Sequence, residues 1–308
     1  MRHFITHAAT IAMLAAWPIA ASAGAPLQGT YALPEGQVKV SATLAASPGT
    51  GSHVTVDIAM TALGQHHPVM QYETELSKRL HVIAISSDFS TFVHEHGDRP
   101  GPDGHFRIAV PLPHSGLYHV YADGVPVGLG QQVMRFELAV GKLPLPSPGF
   151  LQPSGFEAAD GAYKVRFDPF ALRAGKESQF GLHVSRTGKP ALDLTPSLGV
   201  AAHAVFVETT DLTYVHVHAA PAAAPEAGGI GAAMSHDMTG KTSNSAPAGN
   251  DDGMTGMEGM EAPLPAESHV PPDMTLHILA PKAGTYRLWV QFMAGGQVRT
   301  VPFTVAVS

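Results

Sequence analysis

Residues 80–96 read L-H-V-I-A-I-S-S-D-F-S-T-F-V-H-E-H. This is an apolar run, a short polar stretch around Asp88, and a second run in which aromatic and histidine residues fall on alternate positions. Residues 202–218, A-H-A-V-F-V-E-T-T-D-L-T-Y-V-H-V-H, repeat the pattern. His81 is followed thirteen residues later by His94 and then His96, and His203 thirteen residues later by His216 and then His218. Two runs of strand length about a polar turn predict a β-hairpin in each place.

A register follows if six residues form each turn, Ser86–Thr91 and Glu208–Thr213. Ile85 then faces Phe92, Ile83 faces His94 and His81 faces His96. The second hairpin sets Val207 against Tyr214, Val205 against His216 and His203 against His218. Side chains alternate along a strand, so all three histidines of each hairpin leave the same sheet face, with opposed Cβ atoms ~5 Å apart. A slip of one residue would send His81 to the other face.

The repeat extends beyond the hairpins. Pro68 precedes His81 by the interval at which Pro190 precedes His203, and P-H-S-G-L-Y (113–118) corresponds to P-K-A-G-T-Y (281–286). Short alternating segments with turn signals every ten residues or so predict strands at 54–60, 81–85, 92–96, 106–110, 117–122 and 133–140. In the second copy they fall at 163–167, 179–185, 202–207, 214–218, 274–279, 286–292 and 298–307. The expected fold class is all-β, two tandem immunoglobulin-like β-sandwiches, with Tyr118 and Tyr286 as corner tyrosines. The expected division is a signal peptide at 1–23, a first sandwich at 24–140, a Pro-rich linker at 141–154 and a second sandwich at 155–308.

One segment breaks the repeat. His96 and Tyr118 are 22 residues apart while His218 and Tyr286 are 68 apart, so the second copy carries 46 more. The surplus is rich in Ala, Pro, Gly and Met and is expected to be a disordered insertion at 219–272.

Composition narrows the function. The start M-R-H-F-I-T-H, a short apolar core and A-S-A at 21–23 predict a secretory signal peptide cleaved after Ala23, and hence a periplasmic or secreted protein. No later apolar run is long enough to span a membrane. A formal charge of −7 without a basic block argues against nucleic acid or an anionic membrane surface. The chain has no cysteine, which excludes disulfides, thiolate metal sites and catalytic thiols. Its 18 histidines and 12 methionines are the unusual numbers.

Neutral imidazoles are ligands for Cu(II), Zn(II) or Ni(II), and three of them with an open fourth position make a plausible centre. The candidate metal ligands are therefore His81, His94 and His96, and His203, His216 and His218. The same face also carries Ile83, Ile85 and Phe92, so the competing reading is a sandwich interior with hydrogen-bonded core histidines. Asp88 and Asp211 read as turn-formers through side chain to backbone bonds. In the insertion, M-S-H-D-M and M-T-G-M-E-G-M space thioethers three or four residues apart. Thioethers are soft ligands that favour Cu(I), which adds Met234, His236, Met238, Met254, Met257 and Met260 as candidates. No G-x-S-x-G, H-E-x-x-H, phosphate-binding loop or dinucleotide fingerprint occurs, so no enzyme is expected.

The repeated hairpin with its P-x-x-G-x-Y strand resembles small exported bacterial β-sandwich proteins described as heavy-metal-associated. More distantly, it resembles the periplasmic copper-resistance sandwiches of the CopC kind. The M-x-G-M-x-G-M segment is similar to methionine-rich stretches of periplasmic copper-resistance oxidases. A mature chain starting Gly24-Ala25-Pro26 lacks the N-terminal copper-binding histidine of the CopC kind. The resemblance implies an exported protein for copper buffering, delivery or tolerance, with Cu(II) at the histidine triads and Cu(I) at the methionine-rich loop. Its expected partners are metal ions and another exported copper protein. The alternative is a structural or partner-binding immunoglobulin-like module with incidental histidines.

Overall fold

The computed structural model describes residues 26–31, 38–49, 53–75, 78–141, 151, 153–222 and 263–308. The stretch read as a signal peptide, most of the expected linker and the methionine-rich stretch lie outside them, as do Met234, His236, Met238, Met254, Met257 and Met260. Every regular element among the described residues is a strand.

The first half contains β1 (Leu27–Gln28), β2 (Thr30–Tyr31), β3 (Val40–Pro48), β4 (His53–Ala62) and β5 (Leu80–Ser86). It continues through β6 (Phe92–Gly97), β7 (Phe106–Pro111), β8 (Gly116–Gly124) and β9 (Gln132–Val140). They form an antiparallel sheet ordered β1-β3-β4-β7 and a second ordered β2-β9-β8-β5-β6. The sheets pack face to face. Val40, Leu44, Val56, Ile58, Phe106 and Ile108 of one meet Leu80, Val82, Tyr118, Val120 and Phe136 of the other in one buried core.

The second half repeats the plan with β10 (Glu157–Asp160), β11 (Tyr163–Phe167), β12 (Glu177–Arg186), β13 (Lys189–Pro190) and β14 (Leu194–Thr195). After these come β15 (Ala202–Glu208), β16 (Tyr214–Pro221), β17 (Asp273–Leu279), β18 (Gly284–Ala294) and β19 (Gln297–Val307). Here the two layers join into one sheet, because β16 runs on to pair with β17 through Ala219, Ala220 and Pro221. The ends assigned to a disordered insertion therefore belong to the fold, which corrects the 219–272 boundaries. Pro221 closes β16, and Val270 is fully buried while its N–H donates to the Leu194 carbonyl. Apolar residues at both ends, Ala219 and Val270, anchor what composition alone assigns to a loop.

Both corner tyrosines close the same contact. The Tyr118 hydroxyl donates to the His114 carbonyl at 3.0 Å, and the Tyr286 hydroxyl to the Lys282 carbonyl at 3.0 Å.

Strands β5 and β15 are buried on both faces. Leu80, Val82 and Ala84 point into the first sandwich core, as Ala202, Ala204 and Phe206 do in the second. The alternate residues point the other way, into a third apolar cluster shared by the two halves. Ile83, Ile85, Phe89, Tyr121 and Val133 come from the first half, and Val205, Val207, Tyr214 and Trp289 from the second. Trp289 stacks on Phe92 at 5.0 Å, Tyr121 stacks on Tyr214 at 4.7 Å, and the Tyr121 hydroxyl donates to the Leu212 carbonyl at 2.9 Å. The histidine face is thus the surface where the two halves meet, not a sandwich interior.

Candidate metal centre

Both hairpins adopt the register read from the sequence. β5 and β6 pair His81 with His96, Ile83 with His94 and Ile85 with Phe92. β15 and β16 pair His203 with His218, Val205 with His216 and Val207 with Tyr214. The turns are closed by the residues expected to make them. Asp88 Oδ1 accepts from the Ser90 N–H and from the Ser86 and Ser90 hydroxyls, and Asp211 Oδ1 from the Thr213 N–H and hydroxyl. Neither carboxylate belongs to a histidine triad.

Each triad converges. His81, His94 and His96 offer one nitrogen apiece within 4.8 Å of one another, as do His203, His216 and His218. In the first, His81 Nδ1 is 3.2 Å and His96 Nε2 3.0 Å from His94 Nε2. In the second, His203 Nδ1 is 3.3 Å from His216 Nε2. A tetrahedral ion with metal–nitrogen bonds of 2.0–2.1 Å separates its ligands by roughly 3.3 Å, so these spacings suit an ion at the common focus.

The outward nitrogens decide which atoms carry lone pairs. His203 Nε2 lies 3.0 Å from the Ser197 carbonyl and His81 Nε2 3.4 Å from the Glu75 carbonyl. His94 Nδ1 lies 3.0 Å from Gln291 Oε1, whose own amide nitrogen donates to Thr300 Oγ1. A carbonyl oxygen only accepts, so each of these ring nitrogens carries the proton and the inward nitrogen is bare. His81 Nδ1 and His94 Nε2 therefore face each other as two acceptors. In the second triad the bare His203 Nδ1 lies 3.3 Å from His216 Nε2, and His218 Nε2 is buried with no hydrogen-bond partner among the described residues. Lone pairs aimed at a common point, with carbonyl acceptors behind the rings, is how proteins prepare imidazoles for a cation.

The electrostatics agree with neutral ligands. Burial holds all six imidazoles below the ordinary histidine range, with neighbouring histidines adding to the effect at every ring but His81, where Asp123 opposes it; His96 is brought to about 3. Ligation by histidine needs the neutral ring, so the cluster is ready to bind without first losing protons. Two acids sit beside it. Asp123 is fully buried and Glu75 is pushed up to about 7, first by burial and then by Asp123.

The two triads lie against each other across the interface. Ring centroids are 5.4 Å apart for His81 and His216, 5.2 Å for His94 and His203, and 5.3 Å for His94 and His216. The first two contacts are the same pair with the halves exchanged, the reciprocity of an approximate two-fold axis. The profile of one sequence family, described as a domain of unknown function (DUF8832), matches residues 34–141, 157–246 and 253–308. The chain belongs to this family. The DUF8832 match takes in both hairpins and every histidine of the two triads. No curated protein matches the chain.

Several residues escape the sequence reading of this DUF8832 protein. Asp123, Gln291 and the Glu75 and Ser197 carbonyls that brace the rings lie outside the hairpin motifs. Their one trace is position: Asp123 and Gln291 occupy equivalent sites, opposite His81 in β8 and His203 in β18. His119 is buried, with Nδ1 3.9 Å from Glu137 Oε1 and without a hydrogen-bond partner among the described residues. His183 lies between Asp168 and Asp273, with a carboxylate oxygen within hydrogen-bond distance of each ring nitrogen.

Proposed function

We propose that this is an exported metal-binding protein whose histidine triads hold copper, serving to buffer or sequester it. The observation that carries this reading is the convergence of three imidazole nitrogens in each triad, with nearest spacings of 3.0–3.3 Å and carbonyl acceptors behind the rings of His81, His94 and His203. An all-nitrogen donor set with no thiolate suits copper, zinc or nickel, and Cu(II) stands highest in the affinity order of divalent ions. The methionine-rich stretch supports copper by offering thioethers for the reduced ion, and the leader-like start supports export. Ligands as buried as His81 and His203, each 1 % exposed, suit retention better than rapid delivery.

The position of the triads favours a second reading, a module whose interface histidines are hydrogen-bonded packing groups without a metal. The facing acceptors His81 Nδ1 and His94 Nε2 count against it, because a packing interface would pair each lone pair with a proton.

Competition titration of the mature protein with Cu(II), Cu(I), Zn(II) and Ni(II) separates the two. Submicromolar copper binding at two sites per chain is expected, and submicromolar affinity for none of the four ions would favour the packing module. In the same experiment, deletion of residues 225–262 should remove Cu(I) capacity that persists in mild acid, because thioethers carry no competing proton.

A further inference from the structure

Each triad is approached by a side chain of the opposite half. Gln291 lies in β18 of the second half, opposite His203, yet its Oε1 is 3.0 Å from Nδ1 of His94 in the first half. The equivalent residue of the first half, Asp123, lies opposite His81, yet its Oδ2 is 3.8 Å from Nδ1 of His216 in the second half. The side chains of His216 and Asp123 are 3 % and 1 % exposed, so solvent takes no part in that contact. His94 and His216 are the central members of their triads, the rings whose Nε2 is approached by a neighbouring ligand.

We infer that Gln291 is a positioning residue acting across the interface, so that the first half of the chain does not carry a complete metal site by itself. The inference rests on the metal reading of the triads. An outward acceptor fixes which nitrogen of a ligand ring is bare and how the ring is turned, and it raises the basicity of the ligating atom. For His94 that acceptor is an amide oxygen already held in place by the Gln291 bond to Thr300 Oγ1 at 3.2 Å. At the second triad, Asp123 Oδ2 lies too far from His216 Nδ1 for a hydrogen bond and accepts from the Tyr214 hydroxyl at 3.3 Å instead, so only the first triad has a formed brace from the other half. Metal ligation by the first half therefore depends on the docking of the second, and docking in turn gains from metal.

The test places the mutation in one half and reads the ion in the other. His216→Ala/His218→Ala leaves the first triad as the sole histidine site in the full mature chain, and Cu(II) affinity is measured there by competition. Adding Gln291→Leu should weaken binding by about 10–100-fold, the range seen when the hydrogen-bond partners of ligating histidines are removed. Gln291→Glu, which keeps an acceptor oxygen, should retain the affinity or raise it. Should the histidine background fail to fold, Gln291→Leu alone should weaken one of two Cu(II) steps and spare the other. Unchanged affinity in folded Gln291→Leu protein, or equal losses with Leu and Glu, would overturn the inference while leaving the metal reading intact. Absence of Cu(II) binding in the unmodified protein would overturn both.

Discussion

His94 shows how one side chain carries several demands. Its Nε2 faces two other imidazoles, its Nδ1 is held by Gln291, and its ring lies against His203 and His216 of the other half. His94→Ala should abolish tight copper binding at the first triad and leave Gln291 Oε1 without its donor, costing the metal-free protein ~1–3 kcal/mol. Metal stoichiometry together with melting temperature checks this, and two ions retained per chain would contradict it. The triad members were legible in the sequence because strands alternate with period two. Once Ile83 and Ile85 are set opposite His94 and Phe92, His81 and His96 must share their face. The bracing atoms were not legible. Two of them are backbone carbonyls, which no side-chain pattern records, and Gln291 sits on a strand whose neighbours are set by the tertiary fold.

At the scale of elements, the hairpins read well because apolar runs bounded by polar turns leave few registers. β3 was harder: V-S-A-T-L-A-A-S-P alternates, but with small residues, and only Val40 and Leu44 give its inner face weight. Both turns also hold a non-glycine residue in the left-handed region, Phe89 at φ 59° and Leu212 at φ 66°, a strain that sequence does not announce. It is offset by packing, since Phe89 stacks on Trp289 and the Leu212 carbonyl accepts from Tyr121. Asp88 holds the first turn without touching the triad. Asp88→Ala should therefore lower stability by ~1–2 kcal/mol through lost turn hydrogen bonds, with copper affinity unchanged. Denaturant unfolding and a copper titration on the same variant check both halves of that statement, and a large loss of affinity would make the turn part of the site.

At the scale of the whole molecule, the repeat was legible but the meeting of its two copies was not. A face carrying histidine, isoleucine and phenylalanine suits a sandwich interior and an interface equally, and only the burial of β5 and β15 on both sides separates them. Burying six imidazoles there has a consequence for acid stability. All are held below their ordinary range in the fold, whereas in the unfolded chain each takes a proton near ~6.5. The unfolded state then binds more protons, so this stability is present above that pH and drains away as the pH falls, until His96 titrates in the fold at about 3. Glu75, raised to about 7, and Asp123, raised by burial, act in the opposite sense above the ordinary carboxylate range, two groups against six. Each unmatched proton contributes up to ~1.4 kcal/mol per pH unit. The melting temperature of the metal-free protein should therefore drop steadily from about pH 7 to about pH 5, across the histidine range. A flat profile there would mean that the imidazoles are not buried neutral.

The central claim is that each triad is a metal centre, and anomalous X-ray scattering at the copper edge from crystals of the copper-loaded mature protein tests it most directly. The account predicts two peaks, one about 2 Å from nitrogens of His81, His94 and His96 and one at the same distance from His203, His216 and His218. Copper peaks elsewhere on the chain, with both triads empty, would contradict it.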